Sequence, residues 1–424
     1  MKNAFVAGGL LFLLFSAGLA AQEAAQEQPA PAPPLEDQIS ETQHSLRMGA
    51  QRVDYTARAG TMVLRNEQGE QKASVFFVSY FRNNIEDPGL RPLTFSFNGG
   101  PGSSSVWLHM GAFGPKRVLM QEEGHALPPP YGLVDNEHSL LDLTDLVFID
   151  PPSTGYSRSA PSEDPKQFHG VEEDIEWVGE FIRLFTTRYE RWGSPKFLAG
   201  ESYGATRAAG LARHLQQRHG MNLNGVLLIS SILNFQTARF DTGNDLPYPL
   251  FLPSYTAAAW YHSKLGSELQ TNLRQALREA EEFALGEYAP ALMQGSGLSA
   301  QDRQRIASAM SRLTGLSPAF IERSNLRVPL RRFVKELLRD ERKTVGRLDS
   351  RFTGVDADAA GETFEYDPSY AVIQGPFTAV ANDYLRTHLG FESELPYEVL
   401  TARVRPWNFG PAQNRYLNVA EDLR

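Results

Sequence analysis

Cysteine is absent from the 424-residue sequence. Its absence excludes disulfide bonds, thiolate metal sites and a cysteine nucleophile. A chain of this length can bury a large hydrophobic core, so it does not need disulfides for stability. Basic residues are not in excess either: 41 Lys and Arg stand against 50 Asp and Glu, a formal net charge of −9. This balance disfavours nucleic-acid binding, and no basic cluster offsets it.

Internal repeats and metal-ligand patterns are also missing. No histidine and carboxylates share a helix face at a spacing suited to metal binding, so we expect neither a metal nor a cofactor. Without repeats, the length favours one large domain with an insertion over several independent modules.

The N-terminus has the features of an export signal. Lys2 precedes an apolar stretch, and small residues near Ala20 and Ala21 supply a cleavage site, which predicts a signal peptide over residues 1–21. An uncleaved membrane anchor is the competing interpretation. Residues 22–36 are rich in Pro, Ala and Gln and predict a disordered linker. We expect an exported protein, periplasmic or secreted, with no membrane contact beyond this signal.

Strand-like and helix-like segments alternate along the first half of the chain. The strand-like segments are residues 52–60, 73–81, 92–97, 143–150 and 223–230. Apolar residues from 171 to 192 recur at steps of three and four, which predicts a helix ending at Gly193, and a second helix is predicted to end at Gly220. The alternation predicts an α/β fold: a mostly parallel sheet with an antiparallel lead-in and helices on both faces.

The second half divides differently. Residues 37–235 predict the first part of an α/β-hydrolase-like core, and residues 236–375 read as a helical cap insertion with charged, helix-period segments. Residues 376–424 predict a return to the core that is incomplete. A further helix is expected to begin near Arg403.

Two glycine-bracketed motifs carry the chemistry. "GESYG" at residues 200–204 places Ser202 on a sharp turn between a strand and a helix, as a G-x-S-x-G nucleophile elbow requires. "FNGGPGSSS" at residues 97–105 follows a strand and supplies small residues whose amides can approach an oxyanion. Together they predict a serine hydrolase of the α/β-hydrolase type.

With "GAFGP" and "FIDPPSTGYS", these motifs occur in an order that resembles the serine carboxypeptidase family over roughly residues 35–231. The resemblance implies that Ser202 is the nucleophile and that the amides of Gly100 and Tyr203 form the oxyanion hole. It also implies that Asn98, Gly99 and Glu201 bind the free C-terminal carboxylate of a peptide. Gly155 and Tyr156, in "FIDPPSTGYS", are also expected to line the substrate cleft.

The chain departs from the family pattern in two places. Ala112 stands where the family has a second glutamate that shares a proton with Glu201, and His109 is a candidate for a cationic substitute. No Asp-then-His pair follows Ser202 after late strands; His388 is the one histidine late enough. The family's Asp and His are therefore expected beyond residue 424, which predicts an exposed sheet edge and little hydrolase activity for this chain alone.

The sequence thus predicts a serine-type carboxypeptidase acting on peptides with a free C-terminus. Two alternatives stay open. The absence of a carboxylate at Ala112 permits an esterase or acyltransferase on the same fold. The missing triad partners permit a catalytically inactive, peptide-binding relative.

Overall fold

The computed structural model describes residues 34–410 and 417–423. The predicted signal peptide and most of the predicted linker lie outside the described residues. The strands in the described part are, in chain order, β1 (Gln38–Met48), β2 (Gln51–Arg65), β3 (Gln71–Arg82), β4 (Leu93–Phe97), β5 (Lys116–Val118), β6 (Leu133–Asp135), β7 (Asp145–Ile149), β8 (Arg158–Ser159), β9 (Lys196–Glu201), β10 (Gly225–Ile229), β11 (Thr344–Val345) and β12 (Thr353–Gly354).

The α-helices of the same residues include two long ones that flank β9. In chain order they are α1 (Val106–Leu108), α2 (Val171–Arg188), α3 (Tyr203–His219), α4 (Pro247–Tyr261), α5 (Ser267–Gln270), α6 (Leu273–Phe283), α7 (Ala289–Gln294), α8 (Ala300–Thr314), α9 (Pro318–Arg323), α10 (Leu330–Glu336) and α11 (Pro368–Asp383).

The central sheet is mixed, with the order β1-β2-β3-β7-β4-β9-β10 and β8 beside β3. Strands β1, β2 and β3 pair antiparallel, and β3 also pairs antiparallel with β7. Strands β7, β4, β9 and β10 run parallel to one another. The predicted α/β class and antiparallel lead-in are confirmed, and three of the four parallel strands, β4, β7 and β9, run directly into the sequence motifs.

The central strands of the sheet are buried on both faces, and β3 illustrates the consequence for sequence: most of its residues are apolar. Phe76, Val78 and Tyr80 pack on one side, where α1 and α11 lie. Val75 and Phe77 pack on the other side with residues of α2 and α3. Side chains alternate between the faces along a strand, so a strand covered on both sides needs apolar residues at every position. The prediction of helices on both faces is confirmed.

Helix α2 ends earlier than its apolar period predicts. It stops at Arg188, because Glu190 adopts a left-handed backbone conformation with φ 56° and turns the chain. This turn lets Arg191 reach the buried carboxylate of Asp145, 2.5 Å away. The periodicity through Trp192 was therefore misleading, and that residue lies 45% exposed beyond the helix.

Helices α4 to α10 surround a hydrophobic cluster of their own. Tyr255 of α4 stacks on Phe333 of α10 with ring centres 4.0 Å apart, and Leu252 and Ile306 are buried in the same cluster. Arg327 and Asp245, both partly exposed, form a two-pronged ion pair in the same region. The short β11–β12 hairpin at the end of this region was not predicted.

Residues 396–410, here named the C-terminal strap, run in an irregular conformation over the carboxyl ends of the parallel strands. The helix expected from Arg403 onward is wrong for these residues. Their backbone groups pair with other loops instead: the Thr401 amide donates to Gly102 and the Asn408 amide to His169, each at 2.9 Å. Pro406, which lacks an amide hydrogen, also disfavours a helix here.

Candidate active site

Ser202 occupies the turn between β9 and α3 in a strained conformation. Its φ of 59° and ψ of −124° lie outside the regions that serine ordinarily adopts, a cost of about 1–3 kcal/mol. Its amide donates to the carbonyl of Ile229, at the end of β10, over 2.9 Å. The side chain is half-buried. Strand, sharp turn and helix follow one another as the elbow motif predicts.

The glycine loop after β4 contacts this elbow directly. A Cβ atom at Gly99 would overlap the amide nitrogen of Tyr203 and crowd the carbonyl of Glu201. From the other side, a Cβ atom at Gly204 would lie 2.8 Å from the carbonyl oxygen of Phe97. Both positions require glycine because the two backbones approach too closely for a side chain. The structure therefore brings the two sequence motifs together.

The two amides predicted for the oxyanion hole lie on these touching segments. Tyr203 is the first residue of α3, so its amide has no partner within the helix, and the helix dipole favours an anion there. The carbonyl of Gly99 accepts a hydrogen bond from the Ser103 amide at 3.1 Å, which fixes the peptide that carries the Gly100 amide. Backbone amides held in this way can stabilise a developing negative charge.

Asn98 and Glu201 form the polar part of the site. The side-chain Nδ2 of Asn98 donates to the Glu201 carboxylate at 3.0 Å, and the side-chain Oδ1 of Asn98 accepts from the Leu108 amide at 3.0 Å. The Gly99 amide also donates to Glu201. Burial raises the pKa of Glu201, while the two hydrogen bonds partly oppose that rise. The three residues expected to bind a carboxylate are thus hydrogen-bonded to one another.

Ala112 and His109 lie on the helical turn His109–Phe113 that follows the glycine loop. His109 is 3% exposed and hydrogen-bonded to the Tyr80 hydroxyl at 2.6 Å. Burial lowers the pKa of His109 to about 3, so the ring is neutral. The suggestion that His109 acts as a cationic partner for Glu201 is therefore wrong.

Gly155 and Tyr156 lie beyond the end of β7. Gly155 exchanges two backbone hydrogen bonds with Glu398 of the C-terminal strap. Tyr156 is 7% exposed, and its ring packs against Phe76. Among the described residues, no hydrogen bond or ring contact joins either residue to the elbow. Their contact with substrate stays a prediction.

The histidines that follow Ser202 in the sequence make their contacts away from Ser202. His214 and His219 contact each other on α3, and His262 bonds to the Ser350 carbonyl. His388 is exposed and lies near β1, at the opposite edge of the sheet from β9, so it is not the base. Within residues 34–410 and 417–423, no histidine is hydrogen-bonded to Ser202.

A serine–histidine hydrogen bond does occur after β7. The Ser153 hydroxyl and Nε2 of His169 are 2.9 Å apart, and Ser153 has a φ of 74°. Burial lowers the pKa of His169. Ser153 does not lie between a strand and a helix, so it lacks the setting of a nucleophile elbow.

Sequence reasoning missed a buried ion pair behind the elbow. Arg207 of α3 is 1% exposed, and its Nε donates to the Asp174 carboxylate of α2 at 2.7 Å. Burial raises the pKa of Asp174, and Arg207 opposes this. The available signal was a charged residue on the inward face of α3, among Ala205, Ala208 and Leu211.

The described residues lack both a metal-ligand cluster and a membrane-spanning helix. No cluster of three or more His, Asp or Glu side chains suited to a metal ion occurs in this part of the chain. Nor does any described helix combine the length and apolar character needed to cross a bilayer.

Two curated proteins are similar to this chain over nearly half of its length. Mouse lysosomal protective protein is 29% identical over 210 residues, covering 47% of this chain and 38% of that protein. Arabidopsis thaliana serine carboxypeptidase-like 45 is 27% identical over 202 residues, covering 45% of this chain and 39% of that protein. The aligned region spans under two fifths of the length of these relatives.

A solved structure and a family model complete the comparison. The crystal structure of Kex1(Δ)p, a prohormone-processing carboxypeptidase from Saccharomyces cerevisiae, aligns with a TM-score of 0.38 and 22% identity. The alignment covers 61% of this chain and 53% of that one. The model of the serine carboxypeptidase family matches residues 50–310. Since this match takes in more than half of the 424 residues, the chain belongs to the serine carboxypeptidase family.

Proposed function

We propose that this protein is a serine-type carboxypeptidase, which releases the C-terminal residue of a peptide through an acyl-enzyme on Ser202. One observation carries the proposal: the strained Ser202 lies against the glycine loop, with Gly99 packed on the Tyr203 amide. Family membership supports it. The substrates are peptides with a free C-terminus, and the chemistry needs no cofactor.

In the proposed reaction, Ser202 Oγ attacks the carbonyl carbon of the last peptide bond. The amides of Gly100 and Tyr203 stabilise the resulting oxyanion, each worth about 3 kcal/mol. The C–N bond then breaks, the amine leaves with a proton, and water hydrolyses the ester. A serine hydroxyl needs a base for this step. The described residues do not supply one within hydrogen-bond distance of Ser202.

The terminal carboxylate of the substrate is proposed to bind where Glu201 now accepts hydrogen bonds. Asn98 and Gly99 donate to it, and Glu201 joins them in its protonated form. A protonated carboxylic acid donates to a carboxylate, whereas an ionised one repels it. Gly155 and Tyr156 are proposed to belong to the wall of the same cleft.

Labelling with a fluorophosphonate tests the nucleophile. The carboxypeptidase proposal requires an activated serine, so it predicts covalent labelling that is lost in Ser202→Ala. Ser153→Ala is the matched control, because Ser153 also has a positive φ and its hydroxyl, unlike that of Ser202 in the described structure, is hydrogen-bonded to a histidine. Labelling that survives in Ser202→Ala and disappears in Ser153→Ala would show that Ser153 is the reactive serine, and it would contradict the proposal.

An esterase or acyltransferase is the second candidate, favoured by Ala112. Glu201 has no carboxylate partner at that position, so its proton is less well held than in a paired arrangement. Turnover of a blocked dipeptide acid is compared with that of its methyl ester. A preference for the acid at mildly acidic pH supports the carboxypeptidase, and activity on the ester alone supports the second candidate.

A peptide-binding protein that does not cleave is the third candidate. It is favoured by the lack of a histidine hydrogen-bonded to Ser202 among the described residues. Tight binding of a blocked dipeptide acid without fluorophosphonate labelling would support this candidate over both enzymes.

We further propose that the protein is exported, periplasmic or secreted, as its N-terminal sequence predicts. We also propose that residues 236–375 are a cap inserted between core segments 37–235 and 376–424. The separate hydrophobic cluster of α4 to α10 supports this division.

A further inference from the structure

Arg207 lies one helical turn beyond the elbow and takes no part in the proposed reaction. Besides its bond to Asp174, its Nη1 donates to the backbone carbonyl of Asn98 at 2.7 Å. Its guanidinium lies 5.2 Å from the ring centre of Phe97 and 5.4 Å from that of Tyr203. With 1% exposure, the group is held on several sides and has no freedom to turn away.

The carbonyl of Asn98 belongs to the same rigid peptide plane as the amide of Gly99. A donor fixed on that carbonyl therefore fixes the direction in which the Gly99 amide points. It also polarises the peptide, so that the amide becomes a better donor. In the structure that amide donates to Glu201, where the substrate carboxylate is proposed to bind.

The next peptide plane is held by a different group. The carbonyl of Gly99 accepts from the Ser103 amide, and this peptide carries the Gly100 amide of the proposed oxyanion hole. Carboxylate recognition and oxyanion stabilisation thus depend on two separate anchors. Loss of Arg207 acts on the first anchor and leaves the second in place.

We propose that Arg207 is a positioning residue for substrate recognition: it aims the Gly99 amide at the terminal carboxylate of the peptide. The inference rests on the proposed function, since it assigns the Asn98–Gly99 peptide to the binding of that carboxylate. Asp174 serves this arrangement by neutralising the buried guanidinium and fixing its orientation.

The test compares the full chain with the double variant Asp174→Leu/Arg207→Met. Removing both charges avoids leaving one of them buried and unpaired, so the variant is expected to fold. Binding of a blocked dipeptide acid and of its C-terminal amide is measured by calorimetry. We expect the ratio of acid to amide affinity to fall about tenfold, the loss of one charge-assisted hydrogen bond.

The control is Arg191→Met, which removes another buried arginine. Arg191 pairs with Asp145 at the start of β7, whereas the elbow lies at the carboxyl ends of the parallel strands. Asp145 keeps its 2.7 Å ion pair with Arg91 in that variant, so no carboxylate is left without a partner. We expect it to lose stability while keeping the wild-type acid-to-amide ratio. An equal fall of the ratio in both variants would make the effect of Arg207 a general packing effect and overturn the proposal.

A second readout does not depend on ligand binding. In the free protein the Gly99 amide donates to Glu201, so a misdirected amide should raise the pKa of that carboxyl. Carboxyl-carbon NMR of the double variant, which keeps the net charge, measures this value. An unchanged pKa overturns the role of Arg207. A wild-type protein that binds neither dipeptide overturns the proposed function instead.

Discussion

Glu201 is an acid that has no acidic partner among the described residues. Its carboxylate receives hydrogen bonds from Asn98 and Gly99, yet burial still raises its pKa. The same donors are proposed to hold the carboxylate of a peptide, whose pKa of about 3.5 keeps it ionised at neutral pH. Substrate binding therefore becomes a competition between two carboxylates, unless Glu201 is protonated.

The pH dependence of binding follows from this competition. Affinity for a blocked dipeptide acid should decrease as pH rises through the raised pKa of Glu201, because the ionised side chain repels the ligand. Glu201→Gln supplies an amide donor at every pH, so the affinity should become nearly constant, with a gain of about tenfold at neutral pH. Calorimetry from about pH 4 to about pH 8 measures both. The same pH slope in the two proteins would contradict this explanation.

Residues differ in how far the sequence alone could predict them. Ser202 is predictable because its elbow is a local pattern of glycines between a strand and a helix. Arg207 is not, because its role depends on Asp174, 33 positions earlier, and on the carbonyl of Asn98. His109 looked like a possible cation, and only its burial against Tyr80 shows that it is neutral.

At the scale of elements, the end of β7 is joined to the start of α1 through Asp150. Its Oδ1 accepts both the Ser105 amide at 2.7 Å and the Ser105 hydroxyl at 2.8 Å. Its other oxygen has no hydrogen-bond partner among the described residues. Arg158 and Tyr397 are the ionisable groups that face it most closely. Burial is the main cause that raises its pKa to about 6.

This pKa predicts a loss of stability with rising pH. The carboxyl binds its proton more tightly in the folded state, so its contribution is present below about pH 4 and lost as pH rises through about 6, up to about 3 kcal/mol. Asp150→Asn keeps an acceptor for Ser105 and cannot ionise. We expect the unfolding free energy of this variant to exceed that of the wild type increasingly between pH 4 and pH 7. Urea unfolding across that range measures the difference; a constant difference would contradict the assignment.

Elements built from local pattern were predictable, and those built from distant contacts were not. Helix α3 ends at Gly220 in a left-handed conformation, as its sequence predicts. The C-terminal strap was mistaken for a helix because its amides pair with loops far away in sequence, such as the one at Gly102. The end of α2 differs from the prediction because Arg191 forms an ion pair with Asp145, and the spacing of apolar residues cannot predict such a contact.

At the scale of the whole molecule, the hydrophobic residues of the sheet and of α4 to α10 form separate clusters. Those of the sheet pack with α2 and α3 on one face and with α1 and α11 on the other. None of the buried hydrophobic residues in the α4 to α10 cluster belongs to either of the two sheet clusters. Separate clusters allow a region to open locally without unfolding the remainder. The elbow belongs to the sheet, so the stability of the site should depend on the sheet and its two long helices.

Matched cavity variants test this division. Phe333→Ala removes a fully buried ring that stacks on Tyr255, and Phe181→Ala removes one from α2 beneath the sheet. Each should cost about 3–5 kcal/mol in the cluster that it belongs to. Hydrogen exchange followed by mass spectrometry should show faster exchange in α4 to α10 for Phe333→Ala, with β9 and α3 as protected as in the wild type. Phe181→Ala should show the reverse pattern. If Phe333→Ala exposes β9 and α3 equally, the two regions unfold as one unit, and the proposed cap is part of the core rather than an insertion upon it.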